Sequence, residues 1–214
     1  MVLPANRLRA AVVVLAGVIA AAPLSARAAS HDKALVDLLS LIHHDPTPAE
    51  LAAFGPNLEA KLIAIAQDPS VRSLSRVRAV ACASRYGNDA AFHLAADLAA
   101  SAATPRRLRL VGVWSLQHDF VARSATVGVL AKVLVDHDPG LRAAAVRALS
   151  AVGTPKALAL LDQHRIAERN SVVRLALRQV LARRLPAGAT LRRDGRVRRP
   201  VLQMSPQAGP GGAR

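Results

Sequence analysis

Residues 138–157 read DPGLRAAAVRALSAVGTPKA, and the reading of this stretch decides the fold. Leu141, Ala145, Ala148, Leu149 and Val152 recur at the i, i+4, i+7, i+8, i+11 spacing of one helix face. Asp138 stands at an N-cap position and Pro139 presets the first turn. Gly153 supplies the left-handed residue that ends a helix. Pro155 then opens a second helix, with Ala157, Leu158 and Leu161 on one side. The stretch is a helix, a turn and a helix.

The same pattern returns along the chain. RAAAVRALSAVGTPKA from Arg142 aligns with RVRAVACASRYGNDAA from Arg76, placing Val80 on Val146, Gly87 on Gly153 and Ala91 on Ala157. Arg109 opens a unit midway between them, and Arg174 opens another beyond. Gly55, ahead of Gly87, marks a shorter unit in front. A period of about 33 residues is too short for a domain and right for one helix pair. The second helices carry matching stripes: Leu58, Leu62, Ile65, Ala66; Ala91, Leu94, Ala95, Leu98; and Val127, Leu130, Ala131, Leu134. No segment shows sustained alternation of period two, so no sheet is predicted.

Asp138-Pro139, Leu141-Arg142, Ala145, Ala148-Leu149 and Gly153 together resemble the bacterial HEAT-type repeat, also called the phycobilisome-lyase-type HEAT repeat. The resemblance spans roughly residues 47–185 and is strongest at 138–161. One unit departs by carrying Asp68-Pro69 farther ahead of Arg76, and another has Thr104-Pro105 in place of Asp-Pro. The resemblance implies a scaffold that binds partners, and it implies no reaction. A bilin-lyase-like activity follows only from the repeat's name, because no catalytic residue carries over onto a matching position here. The expected fold is all-α, a right-handed α-solenoid of about four to five helix pairs. Helices are predicted at 32–43, 47–54, 56–67, 70–85, 88–102, 105–117, 121–135, 139–152, 155–167 and 170–185. Residues 29–46 form an N-terminal capping segment, 47–185 the repeat domain, and 186–214 a basic disordered tail rich in Gly, Pro and Arg.

Composition agrees with closely packed helices. Hydrophobic residues make up 52% of the chain but aromatics only 2%, so the core must be Ala, Leu and Val. The net charge is +15, and only four of the 29 basic residues are Lys. Such a surface favours anionic partners.

The first residues read as an export signal. Arg7 and Arg9 precede the apolar run Ala10–Ala22, and Ala26-Arg27-Ala28 gives a small-x-small cleavage pattern. That run is well short of the ~20 residues that span a bilayer. A signal peptide over 1–28, cut after Ala28, places the mature chain in the periplasm or medium without a transmembrane segment. Its removal takes Arg7, Arg9 and Arg27 from the positive charge. Cys82 is the only cysteine, so no intrachain disulfide holds the fold.

No catalytic constellation emerges: there is no GxSxG elbow, no HExxH and no phosphate-cradling Gly loop. Asp136-His137-Asp138 and His43-His44-Asp45 read as helix caps and turns, not metal ligands. Cleavage after Ala28 would expose Ala29-Ser30-His31, whose amine, amides and imidazole can enclose Cu(II) or Ni(II). One His at one position arises easily by chance, so no metal or cofactor is assigned. Cys82 shares its column with Ser115 and Ala148 and reads as a packing residue.

Trp114 shares a column with Ala81, Arg147 and Gln179, so its indole is expected to face water. Exposed Trp and Arg are enriched at binding hot spots, which makes Trp114 and Arg147 the candidate partner-binding residues. The expected function is an exported, non-catalytic scaffold for an acidic protein partner. The alternative is an electrostatic binder of anionic envelope polymers or lipid headgroups. Nucleic acid fits the charge but conflicts with export.

Overall fold

A computed structural model describes residues 32–183 and the backbone of two short strands beyond them. The helices are α1 (Lys33–Ser40), α2 (Pro48–Ala52), α3 (Leu58–Gln67), α4 (Ser73–Ser84), α5 (Asp89–Ala100), α6 (Arg106–His118), α7 (Ser124–Leu134), α8 (Pro139–Val152), α9 (Pro155–Ala167) and α10 (Ser171–Ala182).

Local chemistry sets where they begin and end. The Asp138 carboxylate accepts from the Gly140 and Leu141 N–H groups at the start of α8. Thr154 does the same for α9, Asn88 for α5 and Asn170 for α10. Thr47 and Glu50 form a reciprocal capping box on α2. Each such cap satisfies N–H groups that the helix itself leaves unpaired. At the other ends, Gly87 and Gly153 both hold φ +67°, the left-handed conformation that only glycine adopts without strain.

The helix pairs stack in two layers. The first helices of successive units, α4, α6, α8 and α10, lie side by side, and α1 adds to this layer by packing on α4. The second helices α5, α7 and α9 form the other layer. Between layers, α3 packs on α4, α5 on α6 and α7 on α8, so each unit is sealed against the one before it. This is an α-solenoid: no unit buries its apolar face alone.

The core follows the sequence stripes. Leu141, Ala145, Ala148 and Leu149 are buried, as are Leu58, Leu62 and Ile65 of α3. Buried side chains fall into two clusters, one from α1 to α6 and one from α5 to α10. Helices α5 and α6 contribute to both and join them. There the backbones come so close that a Cβ on Gly112 would sit 2.6 Å from the Ala95 carbonyl oxygen.

The expectation of no sheet is corrected. Thr190–Leu191 (β1) pairs antiparallel with Val197–Arg198 (β2), Thr190 opposite Arg198 and Leu191 opposite Val197. Two residues per strand are too few to show an alternating pattern. The rest of the tail, and the signal-peptide segment with Ala29-Ser30-His31, lie outside the described residues.

Candidate functional site

The layer of first helices is the most distinctive surface, and a set of arginines sets its geometry. The residue that opens three of the four aligned units, Arg76, Arg109 and Arg142, reaches backwards to the chain before its own helix. Arg76 Nε donates to the Ala66 carbonyl at 3.0 Å and Arg109 Nε to the Ala99 carbonyl at 3.3 Å. Arg142 donates to the carbonyls of Asp136 and His137 at 2.8 and 3.1 Å. Arg76 and Arg109 thus cover carbonyls that the end of a helix leaves unpaired, and Arg142 covers two in the loop between α7 and α8.

Two of these arginines also reach forwards. Arg109 pairs with Asp136, in the loop before α8. Arg142 forms a two-pronged pair with Glu168, in the loop before α10, at 2.9 and 3.1 Å. Both acids also accept from the cap residue that follows, Asp138 N–H for Asp136 and Asn170 N–H for Glu168. Each of these two side chains therefore ties its own helix to the chain that precedes it and to the loop that follows the next helix. Burial alone would raise the Glu168 carboxyl, but Arg142, the Asn170 N–H and His164 outweigh it and bring it to about 2. Asp136 is lowered in the same manner, its burial overcome by Arg109 and the Asp138 N–H.

What remains exposed on this layer is cationic and apolar. Helices α4, α6, α8 and α10 contain no Asp or Glu. Arg76, Arg78, Arg106, Arg109 and Arg142 are held by carbonyls or carboxylates. Arg107 and Arg147 are exposed and hold no ion pair with another described residue. Trp114 is 46% exposed, and its ring centroid lies 4.6 Å from that of His118 one turn on. Arg147 and Gln179, in the same column of α8 and α10, are exposed, and Ala81 on α4 is half-buried. From α6 to α10 the column therefore faces water, while at α4 Ala81 packs against the core.

Trp114 also borders a shallow groove of 400 Å³ between α4 and α6. Leu74 and Val77 form one wall, Leu110 and Val111 the other, and Arg107 stands at the edge. Leu74 is 41% exposed, so the groove presents contiguous apolar surface beside an unpaired cation.

The other singled-out residues are accounted for by structure. Asp138 caps α8 and pairs with Arg106, and Asp136 belongs to the Arg109 pair. His44 contacts Glu50 at 3.0 Å, and His43 takes a left-handed turn conformation. Cys82 is buried, and burial raises its thiol pKa, so it is a poor nucleophile. Sequence reasoning aligned the arginine column but missed its role, together with Asp136 and Glu168. The signal was present: these acids stand six residues before Arg142 and Arg174 respectively.

Comparison with known proteins meets this fold at one point. Residues 98–182 match the family model of HEAT repeats, the span from the end of α5 through α10. Residues 98–182 are HEAT-like repeats. The match stops short of the front units, where the repeat pattern is weakest, and does not extend to the lyase subtype. No curated protein and no solved structure matches the chain.

Proposed function

We propose that this protein is a non-catalytic scaffold that holds an acidic protein partner against the layer formed by α4, α6, α8 and α10. The observation that carries the reading is the absence of Asp and Glu from all four helices beside an exposed Trp114, Arg107 and Arg147. HEAT repeats are commonly scaffolds for protein–protein interaction, and stacked helices offer an extended surface for it. An exposed indole supplies anchoring area at low entropic cost, while unpaired guanidinium groups select carboxylates.

We place the mature protein in the periplasm or medium. The support is the Arg7 and Arg9 region, the Ala10–Ala22 run and the Ala26-x-Ala28 pattern. No helix among the described residues is long and apolar enough to cross a membrane. Terminal sequencing should find a start at or near Ala29; retention of Met1 contradicts export.

The binding reading is tested by capturing partners from envelope extract with the mature chain and with an Arg107→Glu, Arg147→Glu variant. Reversing both charges should release a salt-sensitive protein partner while leaving the fold intact. Equal capture by both proteins contradicts the proposed face. Salt-sensitive binding to anionic vesicles without any protein partner would favour an electrostatic surface binder instead.

A further inference from the structure

A second concavity lies apart from the proposed binding face, at the front of the array. It is a cleft of 620 Å³ between the short α2, the start of α3 and the end of α4. Pro48 and Leu51 supply one wall, Leu58 the other, and Cys82 is part of the lining. Arg85 and Tyr86, consecutive at the end of α4, are the polar lining groups. Both are exposed, Tyr86 at 48%, so they stand at the mouth and not in the core.

We propose that this cleft binds a small amphipathic carboxylate, an apolar chain or ring bearing one acid group, with Arg85 as the anion-recognising residue. Three observations point there. The volume falls within the roughly 300–1,000 Å³ typical of small-molecule sites, and the lining is apolar apart from two adjacent polar groups. The Arg85 guanidinium makes no hydrogen bond or ion pair with another described residue. The arginines of the solenoid seam, by contrast, are engaged by carbonyls and acids. An unengaged guanidinium beside a phenol at the rim of an apolar cleft matches a ligand whose body is apolar and whose head is anionic.

The surrounding charges leave that role open to Arg85. Asp119 and Cys82 feel its field without bonding to it. Glu59, near Tyr86, is held by Asn88 at 2.8 Å. Asp45 lies near enough to Cys82 to raise its pKa further. These carboxylates lie outside the lining, and their field disfavours a second anionic group on the ligand, so the cleft favours a monoanion.

Calorimetry with the full mature chain tests the proposal, using decanoate, decanol and decyltrimethylammonium below their aggregation concentrations. Decanoate should bind at least about tenfold more tightly than decanol, the increment of one charge-assisted contact, and decyltrimethylammonium more weakly still. Arg85→Met should abolish the preference for decanoate over decanol while leaving apolar binding. Ala52→Trp, which fills the cleft from α2, should remove binding of all three, with circular dichroism confirming the fold. Equal affinity for decanoate and decanol, or decanoate binding that survives both substitutions, overturns the assignment. So does the absence of decanoate binding at millimolar concentration.

Discussion

Leu149 shows what a single residue contributes to the solenoid. It is fully buried in α8, in the column that holds the equally buried Leu116 of α6. Leu149→Ala should cost ~2–5 kcal/mol through lost burial and the residual cavity, read as a drop in the denaturation midpoint. Gly112 is sensitive in the opposite direction. A methyl group there meets the Ala95 carbonyl at 2.6 Å and the Ala99 nitrogen at 2.9 Å, both backbone atoms that cannot rotate away. Gly112→Ala should therefore push α5 and α6 apart and cost ~1–3 kcal/mol despite its better helix propensity. Unchanged thermal stability would show that the two helices slide freely. The core positions and the exposure of the Trp114 column were legible from spacing, because a helix repeats its faces whatever surrounds it. The pairs Arg109–Asp136 and Arg142–Glu168 were not. Alignment shows which positions recur but not which side chains from different units touch.

At the scale of the element, α8 and α9 begin and end where Asp138, Pro139, Gly153 and Pro155 say they should. Helix α7 starts at Ser124, later than the predicted 121, and the reason lies in the turn before it. Phe120 stands in the column of Gly87 and Gly153 and is buried, packing edge-on against Phe92 at 5.5 Å. Arg123 lies over both rings and donates to the Gly87 carbonyl at 2.6 Å. Burying that ring diverts the chain, and the Thr126 hydroxyl then ties α7 back to the Phe120 carbonyl at 2.7 Å. Sequence periodicity has no term for a turn residue that enters the core.

The loop between α9 and α10 makes the acid stability of the array predictable. Glu168 titrates near 2 in the folded chain, below its ordinary 4.5. Its contribution is present above about pH 4.5 and is lost as pH falls from there towards 2. A shift of this size corresponds to roughly 3 kcal/mol. Glu168→Gln should melt earlier at neutral pH and lose less stability than the parent between pH 4.5 and 2. Parallel acid-melting curves for the two proteins would show that the Arg142–Glu168 pair does not hold α8 to α10.

Across the whole molecule, the two ends of the array are treated differently from its middle. Arg178 of α10 occupies the column that holds buried Val80, Val113 and Val146, and it is exposed. Among the described residues no second helix follows α10, and Arg178 shares its surface with the exposed Leu175 and Val172. At the front, α1 packs on α4 and covers the first layer. What the middle leaves uncovered is the acid-free face of α4, α6 and α8, where the proposed partner docks. Two exposed apolar residues separate that docking from general stickiness: Trp114 on the proposed face and Ile166, 82% exposed, near the end of α9 in the other layer. The affinity of the captured partner should be measured for Trp114→Ala and Ile166→Ala, each with its melting temperature. Trp114→Ala should weaken binding by ~2 kcal/mol or more with little loss of stability, while Ile166→Ala should change neither. Equal affinity for Trp114→Ala and the parent, or early unfolding of Trp114→Ala, would contradict docking on this face.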